Sequence, residues 1–132
     1  MSEHKPRPAA VDAVIVRDGK ILLIKRRKEP YFGKWAVPGG FIEWNETAEE
    51  AVVRETREET GVLVRPTRIT GVYSSPKRDP RQTVATAFLC EYVSGEPKGG
   101  DDAEEAKWWP LSKLPELAFD HKKIISDALR LV

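Results

Sequence analysis

The chain has 132 residues, of which 33% are charged and 40% hydrophobic, and its formal net charge is +1. This length suits one domain with its own core, and the balanced charge gives no general attraction to nucleic acid or to a membrane surface. No apolar run approaches the roughly 20 residues that span a bilayer, and the polar start MSEHKPRPAA lacks the apolar centre of a signal peptide. We therefore expect a cytoplasmic protein folded as a single domain over residues 1–132.

The first half of the chain predicts a hairpin, a short strand and a helix. AVDAVIVRDGKILLIKRR contains two β-rich runs joined by Asp18-Gly19, a strong hairpin signal. KWAVPGG follows as a short strand that ends at the proline and the two glycines. Thr47 begins a helix with Glu50 three residues on, which is the capping-box pattern. Gly61 suits the left-handed position that ends such a helix.

The second half predicts three more strands and a last helix. VLVRPTRITGVYSS and QTVATAFLCEYV are strand runs separated by the turn-rich PKRDPR, and EEAKWWPL is another short strand. In that strand, alternation predicts that one of Trp108 and Trp109 faces inward and the other outward. Asp120 is expected to cap a final helix with an apolar stripe. The elements together predict one mixed α/β domain with a central sheet and two main helices.

The helix after Thr47 carries an unusual group of acids. At 100° per residue, Glu55, Glu58 and Glu59 continue the apolar side of the helix instead of the opposite face. Two carboxylates about 5 Å apart repel by roughly 3 kcal/mol at an effective dielectric of about 20, so inward-facing acids require a cation. A hard divalent ion such as Mg²⁺ prefers oxygen ligands of this kind. A solvated acidic face remains the alternative, and Arg54 fits either interpretation because it can pair with Glu58 four residues on.

The segment GFIEWNETAEEAVVRETREETGV, residues 40–62, identifies a family. It resembles the Nudix box, Gly-x5-Glu-x7-Arg-Glu-U-x-Glu-Glu-x-Gly-U, where U is an aliphatic residue. Thr56 stands where the pattern prefers an aliphatic residue. The flanking GKWAVPGG and AKWWPLSKLP also resemble the Nudix fold, so the resemblance covers nearly the whole chain. The matching positions are Gly40, Glu46, Arg54, Glu55, Glu58, Glu59, Gly61 and Val62.

The resemblance implies a Nudix fold, an α/β/α sandwich with a central mixed sheet. It also implies hydrolysis of a nucleoside diphosphate linked to another moiety, with Mg²⁺ or Mn²⁺ as the metal. In this chain it assigns Glu58 and Glu59 as the main metal ligands and Glu55 as a further ligand or close neighbour. It assigns a backbone carbonyl ligand at Gly39 or Gly40, and Arg54 as the residue that orients the acids.

The general base of such an enzyme often comes from a separate loop, and the segment GGDDAEEAKWW supplies acids for that role. Among Asp101, Asp102, Glu104 and Glu105 we favour Glu105 first and Asp102 second. A solvated acidic turn is the alternative for each of them, and Glu55 remains open as the base.

Two segments outside the box resemble the ADP-ribose pyrophosphatases of the family, residues 71–88 and 117–123. In the turn PKRDPR, Arg78 and Arg81 can bind phosphate or ribose through their guanidinium groups, although a plain basic turn remains open. Four aromatic residues are candidates to stack on an adenine ring, namely Tyr31, Phe32, Trp44 and Tyr73. The expected substrate is ADP-ribose, hydrolysed to AMP and ribose 5-phosphate.

Two other functions use the same box. An enzyme of the MutT type would hydrolyse oxidised nucleoside triphosphates with the same metal, and a non-catalytic sensor would bind ADP-ribose. The sensor is less favoured because every acid of the box is present. As partners we expect a small-molecule nucleotide and neither nucleic acid nor a membrane. Many Nudix proteins pair as homodimers, so the resemblance leaves a homodimer open.

Overall fold

The computed structural model of the protein describes residues 4–100 and 102–132. Its elements follow the predicted order, with one added strand over the two glycines after Pro38. The elements are β1 (Ala9–Arg17), β2 (Lys20–Arg26), β3 (Trp35–Ala36), β4 (Gly39–Phe41), α1 (Ala48–Thr60), β5 (Leu63–Tyr73), β6 (Val84–Ser94), β7 (Ala103–Pro110) and α2 (His121–Leu129).

The strands form one mixed sheet in the order β3-β2-β1-β6-β5, with β4 beside β1 and β7 beside β2. β1 and β6 run parallel, and the other pairs are antiparallel. β1 changes its partner along one edge, because its end pairs with β2 whereas its first half pairs with β4. This exchange brings Gly39 opposite Asp12 in the middle of the domain.

The two helices cover opposite faces of this sheet, which confirms the predicted α/β/α sandwich. Val11, Ala13 and Ile15 of β1 pack in one core with Ala51 and Val52 of α1. The intervening Val14 lies in a second core with Ile124, Ile125 and Ala128 of α2. Because both faces are covered, β1 is buried along almost its whole length, as expected for a strand at the centre of a sandwich.

The predicted start and end of α1 are confirmed. Thr47 and Glu50 exchange backbone and side-chain hydrogen bonds in a capping box, and Gly61 ends the helix at φ 74°. The Asp18-Gly19 turn also has two positive φ angles, 51° and 73°, as a tight hairpin requires. Thr56, the departure from the box pattern, is fully buried.

Two details differ from the prediction. Asp120 precedes α2 but makes no side-chain cap hydrogen bond, because its carboxylate binds Arg78 instead. Trp108 and Trp109 do face opposite sides of β7, yet both are half-buried. Trp108 packs against the α1 core and Trp109 against the α2 core. Neither side of β7 faces solvent at these two residues, because each side packs against one of the two cores of the sandwich.

Candidate active site

A cavity of about 250 Å³ lies beside the point at which β1 changes its partner from β4 to β2. Its walls come from β1, β4, α1, the loop between β5 and β6, and the segment that leads into α2. Two aromatic rings, Phe41 and Phe119, lie in the lining. The polar residues of the lining are Asp12, Lys28, Glu43, Glu55, Glu59, Arg78, Arg81, Thr83, Asp102 and His121.

Glu59 is the most enclosed of the box acids. It is only 6% exposed, and its Oε1 accepts a hydrogen bond of 2.9 Å from the N–H of Gly39. Burial raises the pKa of Glu59 well above its ordinary value, while the hydrogen bond from Gly39 acts in the opposite direction. A buried carboxylate of this kind is a strong site for a cation, which would replace the lost water.

The two glycines of β4 allow the backbone to approach the acids closely. A Cβ atom at position 40 would lie 2.3 Å from Oε2 of Glu55, and one at position 39 would lie 2.2 Å from the carbonyl oxygen of Val11. Both distances are far shorter than van der Waals contact. The absence of a side chain is therefore needed at both positions to keep β4, β1 and the acids of α1 together.

Arg54 holds the acids of α1 to the loop before the helix. Its guanidinium donates to Glu46 at 2.6 and 2.9 Å, to Glu55 at 2.7 Å, and to the carbonyl oxygen of Phe41 at 3.0 Å. Hydrogen bonding from Arg54 lowers the pKa of Glu46 to about 2. The cation that the grouped acids required is, in this structure, an arginine of the box itself.

Glu58 lies apart from the other two acids. Its side chain is 41% exposed, pairs with Arg54 at 3.0 Å, and does not line the cavity. Within residues 4–100 and 102–132, no cluster of three or more acidic, histidine or cysteine side chains is arranged to hold a metal ion. The predicted ligand set of Gly40, Glu55, Glu58 and Glu59 is thus not preassembled, because Arg54 holds Glu58 outside.

Residues 6–128 match the model of the NUDIX domain. The chain belongs to the NUDIX family. An ADP-ribose pyrophosphatase of Methanocaldococcus jannaschii is 54% identical over 122 residues, which are 92% of this chain and 72% of that protein. The prediction of a Nudix pyrophosphohydrolase is confirmed by this pair of matches.

Two solved Nudix structures are similar over almost the whole chain. The NUDIX domain of Shewanella oneidensis NrtR, in complex with ADP-ribose, matches with a TM-score of 0.85 and 30% identity over 98% of this chain and 91% of that one. A bifunctional NMN adenylyltransferase/ADP-ribose pyrophosphatase of Francisella tularensis, with AMP and a manganese ion, matches with a TM-score of 0.84 and 28% identity. The match covers 98% of this chain but only 43% of the Francisella protein.

Nudix hydrolases generally depend on a divalent metal ion, and the donors of this cavity fit one. Glu55 and Glu59 supply carboxylate oxygens beside the backbone of Gly39 and Gly40, and hard divalent ions prefer oxygen ligands. These two acids would hold the ion first. Glu58 would join them after its carboxylate leaves Arg54.

The loop between β5 and β6 contributes two arginines with different surroundings. The side chain of Arg78 is 5% exposed, and it forms a bidentate ion pair with Asp120 through hydrogen bonds of 3.0 and 2.7 Å. It also donates to Asp79 and to the carbonyl oxygen of Thr83. Arg81 keeps 36% of its side chain exposed. Of the two predicted substrate-binding arginines, Arg81 therefore has the freer guanidinium, whereas Arg78 is occupied within the protein.

A buried histidine and aspartate meet on the same side of the cavity. His121 Nδ1 accepts the N–H of Val37 at 3.1 Å, and Nε2 lies 3.7 Å from Oδ1 of Asp12. Burial lowers the pKa of His121 to about 3 and raises that of Asp12 to about 7. Near neutral pH the histidine is uncharged, so this contact is not an ion pair.

The two predicted tyrosines lie elsewhere. Tyr73 is 8% exposed in the α2 core, and its hydroxyl donates to Asp127 at 2.7 Å. Its ring therefore has no free face for an adenine. Tyr31 is 41% exposed but is not in the lining of the cavity. Its ring centroid lies 4.6 Å from that of Phe119, which does line the cavity.

Of the two acids favoured as the general base, the structure places Asp102 at the cavity and Glu105 outside its lining. Glu105 pairs with Lys25 at 3.9 Å and lies outside the cavity lining, whereas Asp102 lines the cavity and pairs with Lys28 at 2.9 Å. Glu104 is exposed, and Asp101 lies outside the described residues.

Sequence reasoning did not single out Asp12, and it included Phe119 and His121 only as members of the segment 117–123. Asp12 carried a usable signal, because a single acid interrupts the apolar run AVDAVIV and a buried acid is rare unless it has a function or a partner. Phe119 lies in the segment 117–123 that resembles the ADP-ribose pyrophosphatases, but its place in the cavity depends on contacts with distant residues.

Proposed function

We propose that the protein hydrolyses ADP-ribose to AMP and ribose 5-phosphate with Mg²⁺, or with Mn²⁺ as a substitute. The 54% identity to an ADP-ribose pyrophosphatase supports this substrate. The similarity of the fold to a NUDIX domain in complex with ADP-ribose supports it further.

The observation that carries the proposal is the composition of one cavity. It contains Glu55 and Glu59 for a metal ion, Arg81 for an anion, and Phe41 and Phe119 for a flat ring. A diphosphate attached to a base needs these three kinds of group within one site. A cavity of about 250 Å³ is close to the usual lower limit of roughly 300 Å³ for ligand sites, so we expect part of the substrate to lie outside it.

Each residue of the site would have a separate role in the reaction. A bound metal ion would polarise the phosphoryl oxygens and make an attacking water more acidic. Glu55 and Glu59 would hold that ion, and Arg54 would fix the orientation of Glu55. Arg81 would bind the diphosphate through its guanidinium. Asp102, which pairs with Lys28 at 2.9 Å, would accept the proton of the attacking water at a carboxylate oxygen.

The test is a panel of three substrates with Mg²⁺, namely ADP-ribose, dGTP and 8-oxo-dGTP, with product analysis. We expect AMP from ADP-ribose and a kcat/KM at least ~10-fold above that for either triphosphate, which is about 1.4 kcal/mol of transition-state discrimination. A higher kcat/KM for 8-oxo-dGTP would replace this proposal with the MutT-type function. Binding of ADP-ribose without any turnover would replace it with a binding function.

A further inference from the structure

Phe119 is held in an uncommon backbone conformation at the wall of the cavity. Its φ is 51°, a left-handed value that costs a non-glycine residue on the order of 1 kcal/mol or more and persists only when the surroundings impose it. The preceding Ala118 is fully buried and donates its N–H to the carbonyl oxygen of Trp35 at 2.8 Å. The following Asp120 is bound by Arg78.

The ring of Phe119 is partly buried and contacts the rings of Tyr31 and His121, with centroids 4.6 and 5.3 Å away, as well as two arginines. The guanidinium carbons of Arg26 and Arg81 lie 4.9 and 5.7 Å from its centroid. Arg81 also lies 5.3 Å from the centroid of Phe41, which is 42% exposed and lines the same cavity. Two like charges beside one ring repel each other, so an anion placed there would relieve the repulsion.

We propose that Phe119 is the platform on which the purine base of the substrate stacks, and that the Arg78–Asp120 pair is the device that positions it. In the free protein the guanidinium of Arg81 lies near both phenylalanine rings, at distances at which a cation is attracted to an aromatic ring. The substrate's base would take a place against Phe119, and Arg81 would turn to the diphosphate. This inference rests on the proposed hydrolysis of an adenosine diphosphate derivative.

The pair of Arg78 and Asp120 acts through Phe119 and not on the substrate. Arg78 is 5% exposed, and its donors bind Asp120, Asp79 and the carbonyl oxygen of Thr83. Such a pair fixes the backbone on one side of Phe119. Weakening it should therefore disturb base recognition while leaving the metal side of the cavity intact.

The test measures equilibrium binding by calorimetry, without metal and without turnover, using AMP and ribose 5-phosphate as two separate probes. Phe119→Leu should weaken AMP binding by about 10-fold, within the range reported for the loss of one base–aromatic stack. Phe119→Tyr should stay within about 3-fold of the wild type because it keeps the ring. The affinity for ribose 5-phosphate should change less than about 2-fold in both, because that probe has no base. Phe32→Leu is the matched control, since Phe32 is 57% exposed and outside the lining.

Asp120→Asn tests the positioning role. It should lower the affinity for AMP more than that for ribose 5-phosphate, whereas a purely structural role would change the two probes alike or only lower the melting temperature. If Phe119→Leu does not fold, Phe119→Met keeps a similar volume without the ring and gives the same readout.

Two outcomes separate this inference from the proposed function. If the wild type does not hydrolyse ADP-ribose in the substrate panel with Mg²⁺, the proposed function is wrong, and the base platform is overturned with it. If the wild type binds AMP and a folded Phe119→Leu or Phe119→Met binds it equally well, only the platform is overturned.

Discussion

Behind the wall of the cavity that contains Glu55 and Glu59, Arg54 reaches Glu46, Glu55 and Glu58, which lie eight, one and four residues from it in the chain. In a second wall, Arg78 reaches Asp120 across 42 residues. Both arginines gather carboxylates, but the first does so within one loop and helix, and the second joins two distant segments. Local spacing therefore predicts the first wall, whereas the second depends on the tertiary fold.

The comparison also separates two uses of buried charge. Arg54 keeps 24% of its side chain exposed and holds Glu58 at the surface. The acids that bind Arg54 can therefore exchange that contact for a metal ion. Arg78 is 5% exposed, and its partner Asp79 is fully buried. The second arrangement is difficult to rearrange because each buried charge would lose its partner. The acids of the first wall are therefore suited to binding a metal ion, whereas the buried pair of the second wall is suited to holding neighbouring residues in place.

The largest expected effect tests the second wall. Arg78→Ala should lower the free energy of unfolding by about 3 kcal/mol, at the lower end of the range for a broken buried pair, because Asp120 keeps some contact with water. Arg81→Ala should lower it by less than about 1 kcal/mol, because exposed ion pairs contribute little, and should raise the KM for ADP-ribose. Urea unfolding and steady-state kinetics measure the two effects.

The reverse result would remove the distinction between the two arginines. A stable Arg78→Ala with a raised KM, beside an unstable Arg81→Ala, would restore Arg78 as the substrate-binding residue. Because the two residues lie in the same loop, each variant is the control for the other.

The first wall is tested by Glu59→Gln and Glu58→Gln. Each keeps the shape of the side chain but removes a negative charge, so kcat should fall at least ~100-fold, which corresponds to about 2.7 kcal/mol of barrier. Glu49→Gln, on an exposed position of the same helix, should keep the wild-type rate. Near-normal activity in both acid variants would remove the metal assignment from this helix.

These two walls also show what the sequence could predict. The capping box at Thr47, the helix end at Gly61 and the hairpin at Asp18 depend on neighbouring residues, and all three are confirmed. The burial of Tyr73 was not predicted, because it depends on Asp127 of α2, 54 residues away. The strand over Gly39 was missed for the same reason, since it exists only through its pairing with β1.

A smaller effect distinguishes Asp102, in the loop before β7, from Glu105, within β7. Asp102→Asn should lower kcat by up to about 100-fold, the bottom of the usual range for a general base, and should weaken the acid limb of the pH–rate profile. Glu105→Gln should leave both unchanged, because Glu105 lies outside the cavity lining. A normal profile for Asp102→Asn would move the base to Glu55 or to another acid of the cavity.

The smallest effect concerns the pH dependence of stability that arises from His121, which lines the cavity. Burial lowers the pKa of His121 to about 3 in the folded protein, whereas an unfolded histidine has a pKa near 6.5. As the pH falls below about 6.5, the unfolded chain takes up a proton that the folded protein does not, so this stability is present above pH 6.5 and is lost on acidification. The slope is at most about 1.4 kcal/mol per pH unit.

His121→Gln removes this titration while its amide oxygen can still accept the N–H of Val37. We expect the difference in the free energy of unfolding, wild type minus variant, to decrease steadily between about pH 6.5 and 4. Asp12, Asp120, Arg78 and Arg26 surround the ring and remain in both proteins, so their own titrations largely cancel in that difference. Urea unfolding across this range measures it. A constant difference would mean that His121 takes up a proton in the folded protein as readily as in the unfolded chain, and would contradict the neutral buried histidine that joins β1 to the start of α2.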